Sequence, residues 1–210
     1  IDADQHADTT VTFNSTATVN AATSGGQSLT IDTESGAIAM QGVVGGSTAL
    51  SALTVNADGA GTIEIANIGT TSAAGVTGAT AIGNTNTGTL TLDGTVYTTN
   101  AATYTAATGG GNIDITGAAT FTTSADAIDF NTSGVDLAAN VAITTGTGTN
   151  AGAVSFGGAI EANTAGQETL TIDSGAGSVT FTGAIGLTNA LGGLDVNATS
   201  GDGAGTITFS

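Results

Sequence analysis

The stretch "LTIDTESGAIAMQGVVGGSTALSALTVNADGAGTIEI", Leu29–Ile65, holds four short segments of one design. Leu29-Thr30-Ile31, Ile38-Ala39-Met40, Leu53-Thr54-Val55 and Ile63-Glu64-Ile65 each set apolar residues at positions one and three around a smaller or polar centre. That is the period-2 signature of a half-buried strand. Gly, Asn, Asp and Ser gather between the segments, where turns need them.

The same design runs outward in both directions. One series starts at Val11 and continues at Ile38, Ile63, Leu90, Ile113, Val135, Val154, Val179 and Ile207. Its steps average about 24–25 residues, the length of one coil in a repeat architecture. A second series lies between, at Leu29, Leu53, Val141, Leu170 and Leu194. Two or three short strands per coil of that length predict an all-β chain, a right-handed parallel β-helix of roughly 8–9 coils stacked about 4.8 Å apart. The first series would then form one inward column, from Val11/Phe13 to Ile207/Phe209. An antiparallel sandwich would also show short strands with Gly-rich turns, but alternation in phase at a constant coil length favours the solenoid. The absence of Pro suits it too, since each rung offers its N–H groups to the next.

A longer period contains the shorter one. Leu29-Thr30-Ile31-Asp32 returns as Leu170-Thr171-Ile172-Asp173, an offset of 141, and Leu53-Thr54-Val55-Asn56 returns as Leu194-Asp195-Val196-Asn197. A short insertion, Thr199–Gly201, moves the offset to 144, so that "DGAGTI" at Asp58 recurs at Asp202. Positions 27–65 thus match 167–209. The chain, 1–210, reads as a single solenoid segment with about one and a half copies of this long repeat.

Composition removes several functions together. The chain has no Lys or Arg, 17 carboxylates and a formal net charge of −17. Phosphate neutralisation needs cations, so nucleic acid and anionic membrane surfaces would be repelled. A phosphoryl-transfer site with a Lys or Arg clamp is excluded for the same reason. No apolar run reaches the roughly 18 residues that a membrane-spanning helix needs. Without Cys there are neither disulfides nor thiolate metal sites, and the compartment is left open. Apolar residues make up 40% of the chain and charge is sparse, which argues for a narrow packed core over a disordered tail.

The string from Leu29 to Ala57 and its second copy, with "GGGNIDITGAATF" at Gly109–Phe121 and "AGAVSFGGAI" at Ala151–Ile160, resemble the repeats of filamentous-haemagglutinin-like, β-strand-repeat bacterial surface proteins. The resemblance is one of repeat style over nearly the whole chain. It implies export, a right-handed β-helix, and a role outside the bacterial cell as stalk, filament, surface layer or adhesin. That family's amino-terminal secretion domain is not recognisable in these residues, which points to an interior segment of a longer chain.

Candidate sites are few. Asp2, Asp4, His6 and Asp8 alternate in "IDADQHAD", so an extended strand would set all four on one face, where they could hold Ca²⁺, another hard cation or Zn²⁺. A solvated terminal strand is the plainer reading. Asp58 and Asp202 could offer carboxylates to Ca²⁺ from Gly-rich turns, though corner chemistry accounts for them more simply. Asp114 and Asp136 are expected on successive rungs, near Asp126 and Asp129, and paired carboxylates could hydrolyse glycosides. Such sites bring aromatic platforms and cations; with 4% aromatic residues and no Lys or Arg, a non-enzymatic chain is expected. Asn14, Asn131 and Asn197 begin glycosylation acceptor patterns. Thr10/Thr12, Thr89/Thr91 and Thr206/Thr208 suggest a Thr array that could bind ice, or a face for a surface glycan, but intervening rungs break it. Finally, the chain starts and stops within rungs and without caps, so self-association head to tail, or continuation in a longer chain, is expected.

Overall fold

The computed structural model describes residues 9–132, 134–146, 151–200 and 203–210, and among them there is no helix. Short parallel strands stack into a solenoid with three faces. The first face is a sheet of eight strands among the described residues, running from Ser28–Thr33 through Ala52–Ala57, Thr80–Ile82, Ala102–Thr105, Ile128–Asn131, Val154–Phe156 and Val179–Phe181 to Ile207–Phe209. The second runs from Val11–Phe13 through Ile38–Met40 and Ile63–Ile65 to Leu90–Leu92, Ile113–Ile115, Gly134–Leu137 and Ala159–Ala162. The third holds Thr18–Val19, Val96–Thr98, Thr120–Thr122, Val141–Thr144, Thr169–Asp173 and Gly193–Asn197. Strands Ile38–Val44 and Ile63–Ile68 serve the second and third faces together, turning between them at a register shift between Met40 and Val43. Each coil visits the second, third and first faces in that order.

The registers correct one expectation. Val11, Ile38, Ile63, Leu90, Ile113 and Val135 do stack on one face. Val154, Val179 and Ile207 do not continue that column; they lie on the first face, above Leu29, Leu53, Thr80, Ala102 and Ile128. The step from Val135 to Val154 is short because it crosses two faces of a coil and not a whole one. Along the first face, from Leu29 to Ile207, every step is a full coil and the mean is about 25 residues.

Parallel in-register stacking decides how the core is built. Equivalent side chains of neighbouring coils lie one strand spacing apart, about 4.8 Å, which is close to ring-stacking distance. On the first face Tyr104, Phe130, Phe156, Phe181 and Phe209 form a continuous column, with successive centroids 5.4, 4.8, 5.5 and 5.1 Å apart. Tyr97 stacks on Phe121 at 4.7 Å on the third face. Phe121 in turn meets Tyr104 and Phe130 edge-on across the interior, at 5.6 and 5.5 Å. Towards the amino-terminal end the column continues in aliphatic residues, Ile82, Val55 and Ile31, all buried. Each such side chain contributes about 1.5–3 kcal/mol by leaving water.

The two repeat copies occupy different faces. Leu29/Ile31 lie on the first face and Leu170/Ile172 on the third; Ile63/Ile65 lie on the second and Ile207/Phe209 on the first. From Leu29 to Leu170 the chain makes five coils and two further faces, so the second copy is rotated by one face about the axis. Its corner chemistry travels with it. Thr33 Oγ1 donates to the Gly36 carbonyl at 2.9 Å, and the equivalent Ser174 Oγ donates to the Gly177 carbonyl at 2.8 Å, at a different corner. At both corners a side chain on the glycine would overlap a carbonyl of the coil beneath, that of Thr9 or of Gly152, so only Gly fits.

Candidate functional site

With neither Lys nor Arg in the chain, a carboxylate must be solvated or must accept hydrogen bonds. The second face concentrates these groups. Its central outward row reads Thr12, Ala39, Glu64, Thr91, Asp114, Asp136, Glu161, one residue per coil in register. Asp114 and Asp136 are adjacent partners, as expected for successive rungs. Both carboxyls are held above the usual range. For Asp114 the causes are partial burial and then the charge of Asp136; for Asp136 they are partial burial, opposed by the Asn112 amide, and then the charge of Glu161. Asn112 donates from Nδ2 to Asp136.

Glu161 has a different task. Its carboxylate accepts the backbone N–H groups of Leu187 at 3.1 Å, Thr188 at 3.1 Å and Asn189 at 2.8 Å, all in the next coil. Three asparagines do the same elsewhere. Asn20 Oδ1 accepts from Ser47 and Thr48 at 3.0 and 3.2 Å. Asn67 Oδ1 accepts from Thr95 and Val96 at 2.9 and 3.0 Å, and Asn140 Oδ1 from Thr169 at 3.0 Å. Corner N–H groups have no ladder partner, so a side-chain carbonyl one coil below satisfies them. These clasps escape a reading by strand triplets. Their signal is an Asn or Glu placed about one coil before a corner.

The other candidates separate. Asp58 sits at a corner, where Oδ1 accepts from Asn84 Nδ2 at 2.7 Å and Asn86 Nδ2 at 3.4 Å, a cross-coil tie. Asp129 lies on the first face and accepts from Ser155, and Asp126 lies outside the strands before it. Neither joins the Asp114–Asp136 row, contrary to the sequence expectation. Thr12 and Thr91 belong to the second face and Thr208 to the first, so those Thr pairs form no common array. The first face instead aligns Thr30, Thr54, Thr103, Thr180 and Thr208 outward, interrupted by Ala81, Asp129 and Ser155. Asn14 is exposed, and its Oδ1 is engaged by Thr16 Oγ1 at 2.7 Å; Asn131 and Asn197 are exposed strand ends. Asp2, Asp4, His6, Asp8 and Asp202 lie outside the described residues. Among the described residues no group of three or more His, Asp or Glu side chains is placed to hold a metal ion.

One open concavity of about 260 Å³ lies on the outside between the third and first faces, lined by residues that include Thr71, Ser72, Thr98, Thr99, Thr122 and Thr123. It is smaller than the usual ligand pocket of about 300–1,000 Å³. Neither a carboxylate nor a ring lines it. Comparison with protein-family models, with curated proteins and with solved structures gives no match.

Proposed function

We propose that the chain is a structural element, part of an extracellular filament, stalk or surface layer of a bacterial cell, and that its product is a rod and not a reaction. The observation that carries this reading is where the chemistry is placed. Rings fill an interior column, and Asp58, Glu161 and the clasp asparagines tie one coil to the next. The resemblance to β-strand-repeat surface proteins supports the extracellular setting. So does a net charge of −17 without Lys or Arg, which keeps rods soluble and apart from one another until a cation or proton neutralises them. Ca²⁺ is the natural bridging ion for such a surface.

Glycoside hydrolysis is the weaker reading. An acid and a base need environments that push their pKa values apart. Asp114 and Asp136 are both raised, on one open row. A binding role for ice or a glycan draws on the Thr row of the first face, but Ala81 and Asp129 break its regularity. Antibody labelling of intact cells, read by electron microscopy, tests the structural role. Label on filaments or a layer outside the envelope is expected, and label confined to the cytoplasm would refute it.

A further inference from the structure

The three Asn-x-Ser/Thr patterns of the sequence meet different surroundings in the fold. At Asn131 and Asn197 the middle residue faces inward: Thr132 is 3% and Ala198 2% exposed. Neither tripeptide can leave its strand end without drawing a packed residue out of the interior. At Asn14-Ser15-Thr16 all three residues are exposed, on the turn that joins the second face to the third. Ala17 N–H donates to the Asn14 carbonyl at 2.8 Å and closes that turn. The Asn14 side chain is fixed by two donors, since Thr16 N–H and Thr16 Oγ1 donate to Asn14 Oδ1 at 3.1 and 2.7 Å. A backbone N–H can only donate, so the atom it meets is the amide oxygen. Nδ2 is thereby directed the other way, and it has no hydrogen-bond partner among the described residues. Gln41, its neighbour in the next coil, turns instead to Glu64, to which its Nε2 donates at 3.3 Å. Exposure is a property of this corner. Gln41, Asp93, Thr116 and Ala138 stand at the same point in later coils, and all are exposed although coils lie on both sides of them. Ala66, inside the bent strand Ile63–Ile68, is the exception. The openness of Asn14 therefore does not depend on what precedes Val11.

We propose that Asn14 is an N-glycosylation site, its Nδ2 taking a sugar supplied as a glycosyl phosphate by a transferase that reads Asn-x-Ser/Thr. The proposal rests on the surface role above, since such a site belongs on an exposed loop of an exported chain. In the transfer Nδ2 forms a bond to the anomeric carbon of the sugar. The bond from that carbon to the phosphate oxygen breaks, phosphate leaves with the electron pair, and one Nδ2 proton passes to a base of the transferase. An amide nitrogen is a poor nucleophile because its lone pair is delocalised into the carbonyl. The acceptor must therefore enter the transferase far enough for its Nδ2 to be engaged there, and a tripeptide anchored in the interior by its middle residue cannot. Thr16 serves twice. It holds Oδ1 against the turn, which leaves Nδ2 outward, and it supplies the hydroxyl at the third position of the pattern. The sugar stands out from a corner of the rod, clear of the ladder hydrogen bonds between coils.

Mass spectrometry of the chain purified from the surface of its own cells tests this. The peptide that contains Asn14 should carry a sugar, retained on that residue through fragmentation, and the peptides that contain Asn131 and Asn197 should not. Thr16→Ala should abolish the modification, and Thr16→Ser, which keeps the pattern, should retain it. Thr16 is exposed, so circular dichroism of both variants should match that of the parent chain. A bare Asn14 on chain taken from the cell surface would overturn the site while leaving the structural role standing. Sugar on Asn131 or Asn197 in place of Asn14 would overturn the argument from burial. Sugar persisting on Asn14 in Thr16→Ala would overturn recognition through the tripeptide.

Discussion

Replacing Phe156 by Ala removes the middle ring of the aromatic column. The side chain is 1% exposed and lies between Phe130 at 4.8 Å and Phe181 at 5.5 Å. Burial is worth about 2–3 kcal/mol, and the two stacked neighbours add about 0.5–1.5 kcal/mol each. The expected loss is therefore about 4 kcal/mol, inside the range of about 3–5 kcal/mol measured for Phe→Ala in protein cores. Phe209 provides the internal control, since it stands in the same column but is 64% exposed with a single stacked neighbour at 5.1 Å. Phe209→Ala should cost about 2 kcal/mol on the same reckoning, half as much. Urea unfolding followed by circular dichroism measures both. Equal losses at the two positions would mean that column burial does not set the stability.

Other substitutions separate the remaining claims. Gly177→Ala should destabilise by about 1–3 kcal/mol through overlap with the Gly152 carbonyl, whereas Gly109→Ala, whose added methyl meets nothing, should be close to neutral; thermal melting distinguishes them. Tyr97 donates to the Ile65 carbonyl at 2.8 Å and accepts from Gly94 N–H at 2.9 Å, while the buried Tyr104 hydroxyl has no hydrogen-bond partner among the described residues. Tyr97→Phe should therefore cost about 1–3 kcal/mol and Tyr104→Phe nothing or a slight gain, with a loss at Tyr104 as the contrary result. Because the fold raises the Asp114 and Asp136 pKa values, it binds protons more tightly than the unfolded chain. Their stabilising contribution is complete below the unfolded value, about 3.9, and is lost as pH rises through the folded values. Melting temperature at low salt should fall over that rise, and Asp114→Asn with Asp136→Asn should flatten the fall.

The triplets made the fold legible, because alternation, coil length and turn residues all pointed to stacked parallel strands. The assignment of triplets to faces was not legible. "VTF" at Val11 lies on the second face and the identical "VTF" at Val179 on the first, since a half-buried strand demands the same alternation on any face. Only the short step from Val135 to Val154 betrays the change. The acidic pair Asp114 and Asp136 was readable for a simple reason: those coils are adjacent and regular. The clasps at Asn67 and Glu161 were not, because a corner N–H finds its acceptor one coil away and leaves no local pattern.

The rotation of the second repeat copy bears on how such a rod can change over generations. A module that advances by five coils and two faces deals its outward residues to a new side at each duplication. A favourable row, once acquired, would not lengthen by copying; it would reappear a third of a turn away and farther along the axis. Duplication then builds length quickly but patterned docking faces slowly. Two features are copied intact whichever side they land on: the inward triplet and the Gly corner. Selection acting through duplication would keep the inside of this molecule uniform and leave its outside a patchwork.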